Sequence, residues 1–260
     1  MAIPMSIVPW PHIQQTEGDE GYLILAHLVR SHPDSYGSFF VDKAGRKVLD
    51  NGVIETGEPM PMDELLAIAQ YVGANELVLP DAIGQHVRTV RMAEEALEYD
   101  IPPRLRVMGV PHGTNLPTWL WCAERLAALG VNALGLSRTL IPWLANDRHT
   151  LWLRLSGQVR QLDLHLLGCA VSPWLTRHEV LAFRASGANL LSVDSGVAMM
   201  ATRAGHELDA YAKPDDWDFD VDASLDPELL GLNLALWRAI CSGREGYWLR
   251  HSDVSAILRG

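Results

Sequence analysis

Long apolar runs are missing from this chain. None approaches the about 20 residues needed to cross a bilayer, so no membrane association is expected. Cysteine is scarce: Cys122, Cys169 and Cys241 are the full set, and they are widely scattered. They make no C-x-x-C pair and no zinc-ligand spacing, which argues against a disulfide scaffold and a thiolate zinc module. Small buried apolar thiols are the expectation for each. The histidines show no H-x-H or H-E-x-x-H pattern, so no metal is expected. The P-loop, the G-x-G-x-x-G fingerprint and the G-x-S-x-G elbow are also missing, and no cofactor is expected. The opening residues, MAIPMSIVPW, have neither the charged start nor the long apolar stretch of a signal peptide. A soluble cytoplasmic protein is the expectation. Positive charge is in short supply, with a net charge of −11 over 260 residues. This argues against a protein that coats nucleic acid non-specifically, but leaves room for a local basic groove. The basic residues are mostly arginine, which suits phosphate contacts. Genome composition produces the same bias.

What the chain does have is a series of short strand-like apolar runs, several ending in a carboxylate or a glycine. Lys47-Val48-Leu49-Asp50-Asn51-Gly52, Glu76-Leu77-Val78-Leu79-Pro80-Asp81 and Leu190-Leu191-Ser192-Val193-Asp194-Ser195-Gly196 are three of them. A carboxylate at the C-terminal end of a buried strand packs badly. It is well placed for chemistry in a parallel α/β barrel, whose active site sits at that rim.

The order of apolar patterns along the chain supports such a barrel. Gly21 to Leu28 reads as a first buried strand. Ser38 to Asp50 reads as a hairpin, or as a strand preceded by a turn. A helix follows from Met62, then a strand at Leu77–Leu79, a helix over Thr89–Tyr99 and a strand at Leu105–Val110. Trp119–Leu129 is helical, Ala133–Leu136 a strand, and Leu162–Gly168 another. A helix over Arg177–Ser186 precedes the strand Leu190–Val193. The unit of strand, loop and helix recurs at roughly 25–30 residues, as βαβ repetition requires. Seven barrel strands are identified this way. The eighth is expected near Ser6-Ile7-Val8 or after Asp194. The segment His149–Arg160 stays undecided, the acidic stretch Glu207–Glu228 reads as a solvated loop, and Leu229–Ile240 as a final helix. The expectation is one TIM-barrel domain over residues 1–260, without a dividing linker.

Each acidic strand end also has a plain structural reading. Asn51-Gly52 is a hairpin-turn signal. Asp81 and Asp194 are each in position to cap a following helix. His112, just past a strand, either meets a ligand or faces solvent. His165, mid-strand on an apolar background, reads as a satisfied core histidine. The case for a site rests on recurrence of carboxylates at successive strand ends.

Taken in order, LDNG, LVLPD, GVPHG, ALGL, HLLG and SVDSG resemble the tRNA-guanine transglycosylases, and more closely their shortened phage and bacterial relatives that place 7-deazaguanine bases in DNA. The resemblance spans roughly Leu49 to Thr202 and rests on the ordered set rather than on any one motif. It implies a TIM barrel and a base-exchange reaction. By position, Asp194 matches the nucleophile that attacks the anomeric carbon, and Asp50 the carboxylate that moves the proton. Asp81 matches the residue that reads the purine edge. Asn51, His112 and Gly113 match substrate-binding positions, and Gly135 and Leu136 match strand-end backbone that meets the base. DNA is the implied macromolecular substrate, with tRNA the alternative, and a 7-deazaguanine base the small one. A partner protein or a homodimer is compatible with the acidic charge. Departures are His112, where the family often has glutamine, and Ile54, where many members carry an aromatic residue. The family's cysteine-and-histidine zinc set is absent too. Nucleoside hydrolysis, or a silent barrel serving as a partner subunit, are the rival readings.

Overall fold

The computed structural model describes residues 2–138, 148–168, 173–208 and 224–242. Eight strands form one sheet in the order β1-β8-β7-β6-β5-β4-β3-β2. They are β1 Ile3–Ser6, β2 Gly21–Leu25, β3 Arg46–Asp50, β4 Glu76–Val78, β5 Arg106–Gly109, β6 Ala133–Ser137, β7 Asp163–Leu167 and β8 Leu190–Ser195. Every pairing is parallel. The two ends of the sheet come together where β1 meets β2. A Cβ on Gly21 would stand 2.7 Å from Ile3 Cγ2 and 2.9 Å from Met5 Cε. The result is a nearly closed TIM-type barrel.

The helices follow as α1 Ala26–Ser31, α2 Ser38–Val41, α3 Val53–Thr56, α4 Met62–Val72, α5 His86–Leu97, α6 Leu116–Ala128, α7 Arg148–Leu153, α8 Pro173–Ala185, α9 Val197–Arg203 and α10 Pro227–Ser242. Their sequences explain them locally. In α4 the buried residues Met62, Leu65, Ala69 and Val72 recur at helical spacing. Gly73 then stops it at a left-handed φ of 65°. In α6 Asn115 accepts from the Thr118 N–H while the Thr118 hydroxyl accepts from the Asn115 N–H, a reciprocal cap. Among the described residues no helix is long and apolar enough to cross a membrane.

Strand alternation sorts side chains into an inner and an outer set. Leu23, Leu25, Asp50 and Val78 share the inner face, while Tyr22 packs outward on Phe39 and Phe40 at ring separations of 6.0 and 5.7 Å. By the same alternation Arg46, Glu76, Arg106 and Asp163 point inward at the strand starts. Glu76, fully buried, pairs with Arg46 and lies 3.5 Å from Arg106 Nε, and Arg106 also pairs with Asp163. This charged layer plugs the N-terminal end of the barrel. Such buried pairs contribute little net stability, yet losing one partner leaves an uncompensated charge.

Several expectations change. Of the two readings of Ser38–Asp50, the strand preceded by a turn is formed and the hairpin is not: Phe39 and Phe40 belong to α2, which packs outside β2, and only Arg46–Asp50 is strand. Asn51-Gly52 turns the chain into α3, not into an antiparallel partner, and Gly52 holds φ at 77° there. The eighth strand is Ile3–Ser6, ending on the first residue of Ser6-Ile7-Val8, so the first of the two expected places is the right one. The first strand stops at Leu25, where α1 begins. The undecided stretch takes in most of α7 and of a 3-10 turn at Val159–Gln161. Neither acidic residue caps a helix: α5 starts after Gln85 and α9 after Gly196, both without a side-chain cap. Cys122 and Cys241 are buried, as expected, whereas Cys169 and the bulk of the acidic stretch, 209–223, lie outside the described residues.

Candidate active site

The C-terminal rim of the barrel encloses a cavity of about 170 Å3. Its walls are mainly apolar, with Ile7, Leu23, Leu25, Val78, Val110 and Leu167 among them. Four carboxylates enter it, from Asp50, Glu55, Asp81 and Asp194. Larger furrows of about 440 and 660 Å3 run along α5 and beside α4 without a comparable set of acids, and one of about 510 Å3 holds Glu17, Asp19 and Glu20 beside Arg238. The rim cavity has room for several waters or one small ligand. It falls below the about 300–1,000 Å3 typical of sites that swallow a drug-sized ligand.

Asp50 ends β3. Its Oδ2 accepts the Gly52 N–H at 2.9 Å, a local turn that an aspartate makes with its own backbone. Burial pushes its carboxyl up from 3.8 to about 8, helped by the charges of Glu55, Asp81 and Asp194 and opposed by the Gly52 bond. Near neutral pH Asp50 is therefore mostly a carboxylic acid, able to donate a proton. Glu55 sits one turn further on, in α3. Its carboxyl is also raised, by burial and by Asp194, against a local backbone hydrogen bond. Behind it His27 Nδ1 stands 4.0 Å from Glu55 Oε2, and burial and Arg30 push that imidazole down.

Asp81, just past β4, is held from two sides. Asn51 Nδ2 donates to its Oδ2 at 2.8 Å, and to the Leu79 carbonyl at 2.8 Å. His112 Nε2 lies 2.7 Å from its Oδ1. The Gly84 N–H points at His112 Nδ1 at 3.4 Å, which makes Nδ1 the acceptor and puts the proton on Nε2, facing Asp81. Asn51 and His112 are almost fully buried and sit behind Asp81, outside the cavity wall.

Asp194 ends β8. Its Oδ2 lies 2.7 Å from His165 Nε2, and its Oδ1 accepts the Gly168 N–H at 3.1 Å. His165 Nδ1 is 2.6 Å from Ser192 Oγ. His165 is thus a satisfied core histidine, as expected, but the group that satisfies it is a cavity carboxylate.

The remaining expected residues are elsewhere. A Cβ on Gly113 would stand 2.5 Å from the Trp119 nitrogen, so the absence of a side chain there serves the packing of α6. A Cβ on Gly135 would meet Leu167 Cδ1 at 2.6 Å, Met108 Sδ at 3.0 Å and Val110 Cγ2 at 3.0 Å. Gly135 therefore faces the barrel interior next to cavity-wall residues. Leu136 points the other way, and its carbonyl accepts from Arg148 at 2.7 Å. At this strand end Ser137 is the residue in the cavity wall. Ile54 lines the mouth as an aliphatic lip and is 57% exposed.

Glu55 and the His165–Ser192 pair are the residues that sequence reasoning missed. The signal for the pair was available: Asp163-x-His165 and Ser192-x-Asp194 put polar groups on one face of adjacent apolar strands. Among the described residues no group of three or more histidine, cysteine or acidic side chains is arranged to hold a metal ion.

Fold and cavity together define a parallel (β/α)8 barrel with an acidic rim pocket. Compared with known families and with curated proteins, the chain matches no family model and no curated sequence. The geometry of the site, with the ordered motifs that led to it, is the ground for a functional reading.

Proposed function

We propose that this chain is a base-exchange pentosyltransferase that replaces guanine in DNA by a 7-deazaguanine derivative. The observation that carries the reading is the set of carboxylates in one small apolar cavity. Asp50 is largely protonated there, and Asp194 is held by donors on both oxygens.

The steps follow from those states. An Asp194 oxygen forms a bond to the anomeric carbon as the carbon–nitrogen bond to guanine breaks. The electron pair goes to the purine, which takes the proton of Asp50. Oxocarbenium character in this step is stabilised by the carboxylate that then traps it. Asp50, now ionised, removes the ring proton of the incoming deazaguanine. The freed nitrogen attacks the anomeric carbon, and Asp194 leaves with its electron pair. Two displacements retain configuration, and Asp50 ends protonated as it began. A carboxyl near 8 suits both jobs, because an acid–base group works best with a pKa close to ambient pH. Asp81, fixed by Asn51 and His112, accepts from the donor edge of the base. A target base inside a duplex is first extruded, at a cost of a few kcal/mol.

The missing cysteine-and-histidine zinc set favours DNA over tRNA. The test is incorporation of labelled guanine, with duplex DNA and tRNA offered side by side. Label entering DNA supports the proposal. Label entering only tRNA moves the substrate, and release of free base without incorporation makes the protein a hydrolase.

A further inference from the structure

We propose that His165 is the positioning residue of the site, carrying its proton on Nε2 and donating it to Asp194 from inside the barrel. This deepens the exchange reading and rests on it for the identity of the reaction.

The three groups stack down the barrel interior. Asp194 is at the cavity floor, His165 beneath it on β7, and Ser192 beside His165 on β8, one inward position below Asp194. The register pairs His165 directly with Ser192. The contacts are 2.7 Å from His165 Nε2 to Asp194 Oδ2 and 2.6 Å from His165 Nδ1 to Ser192 Oγ. Both His165 and Ser192 are fully buried. Ser192 therefore cannot serve as a nucleophile towards any outside substrate, and a serine-hydrolase reading of the trio is ruled out on access. The ionised Asp194 can only accept, so the neutral imidazole turns its N–H towards it and the Ser192 hydroxyl donates to Nδ1. That leaves Nε2 as the protonated nitrogen.

The consequence falls on Asp194. Its Oδ1 takes the Gly168 N–H at 3.1 Å and its Oδ2 takes the imidazole N–H. The two donors fix the plane of the carboxylate, each leaving a lone pair on its oxygen for attack. A donor to an ionised acceptor is roughly twice as strong as one to a neutral acceptor. The imidazole therefore binds the free carboxylate more tightly than the ester it becomes. It assists most when Asp194 departs in the second displacement. A positioning role of this kind acts on turnover and leaves base affinity alone.

Paired amide substitutions test it. In His165→Gln the side-chain amide nitrogen reaches the place of Nε2 and still donates to Asp194. In His165→Asn the shorter amide reaches only the place of Nδ1 and keeps Ser192 alone. The expected result is exchange within about tenfold of wild type for the glutamine variant and a loss of about 100-fold in kcat for the asparagine variant, with KM for the base unchanged in both. Equal activity of the two variants would overturn the assignment. If the unaltered protein shows no exchange, the exchange reading fails, and the positioning assignment is then read without activity. Nitrogen-15 NMR of histidine-labelled protein should find a slowly exchanging proton on His165 Nε2. An Nε2 without a proton would overturn it.

Discussion

Asp50→Asn should make the protein more stable and nearly inactive at the same time. Asp50 is a carboxyl raised from 3.8 to about 8 in the folded chain. With the folded value above the unfolded one, the stability tied to this group is fully present below about pH 4. It is lost as pH rises through the folded value near 8. Asparagine cannot ionise, and its side-chain oxygen can still accept the Gly52 N–H that Asp50 Oδ2 accepts at 2.9 Å. The interval from 3.8 to pH 7 spans about three pH units at about 1.4 kcal/mol each. The variant should therefore gain on the order of 4 kcal/mol over wild type at pH 7, as an upper bound, since water in the cavity softens the penalty. Calorimetry at pH 4, 6 and 8 reads the difference as roughly 10 °C in Tm at the high end, shrinking towards zero at pH 4. Loss of the proton carrier should lower exchange by about 10²–10⁴-fold. Parallel stability curves for the two proteins across this range would refute the claim that Asp50 is a carboxyl held neutral by its site.

Other perturbations probe the surroundings. Glu55→Gln removes the neighbouring charge that raises Asp50 most, so the pH–rate profile should move to lower pH; an unmoved profile would take Glu55 out of the site. Gly113→Ala puts a methyl 2.5 Å from the Trp119 nitrogen, where backbone cannot yield as a side chain would. It should cost about 1–3 kcal/mol in urea unfolding, and a neutral effect would mean that α6 can shift. Glu76→Gln removes the charge between Arg46 and Arg106 at the far end of the barrel. It should destabilise by about 3–5 kcal/mol with the KM for the base unchanged, and a wild-type Tm would show the layer to be dispensable.

The barrel was legible because its strands are short apolar runs with distinctive ends. Asp50, Asp81 and Asp194 could be found by that rule, and all three reach one cavity. The rest was hidden for physical reasons. β1 is four residues, contains Pro4 and begins half-exposed, so it lacks the look of a buried strand. Phe39-Phe40-Val41 has strand-like composition, but α2 uses those rings to cover Tyr22 from outside. The pairing of inward arginines and acids at the strand starts has no local signal, because the partners lie 26 or more residues apart in sequence. Glu55 follows a turn signal and offers no periodicity of its own. His112 and His165 were visible as residues, but their meaning depends on which carboxylate each one faces, and only the folded register supplies that.

Intact-mass spectrometry of the protein incubated with a guanine-containing DNA duplex, quenched before the second displacement, tests the central claim most directly. The account predicts a covalent species heavier by the nucleic-acid strand, mapped by digestion to Asp194, absent in Asp194→Ala and discharged by added 7-deazaguanine base. An adduct that survives in Asp194→Ala, or exchange at the wild-type rate in that variant, would contradict it.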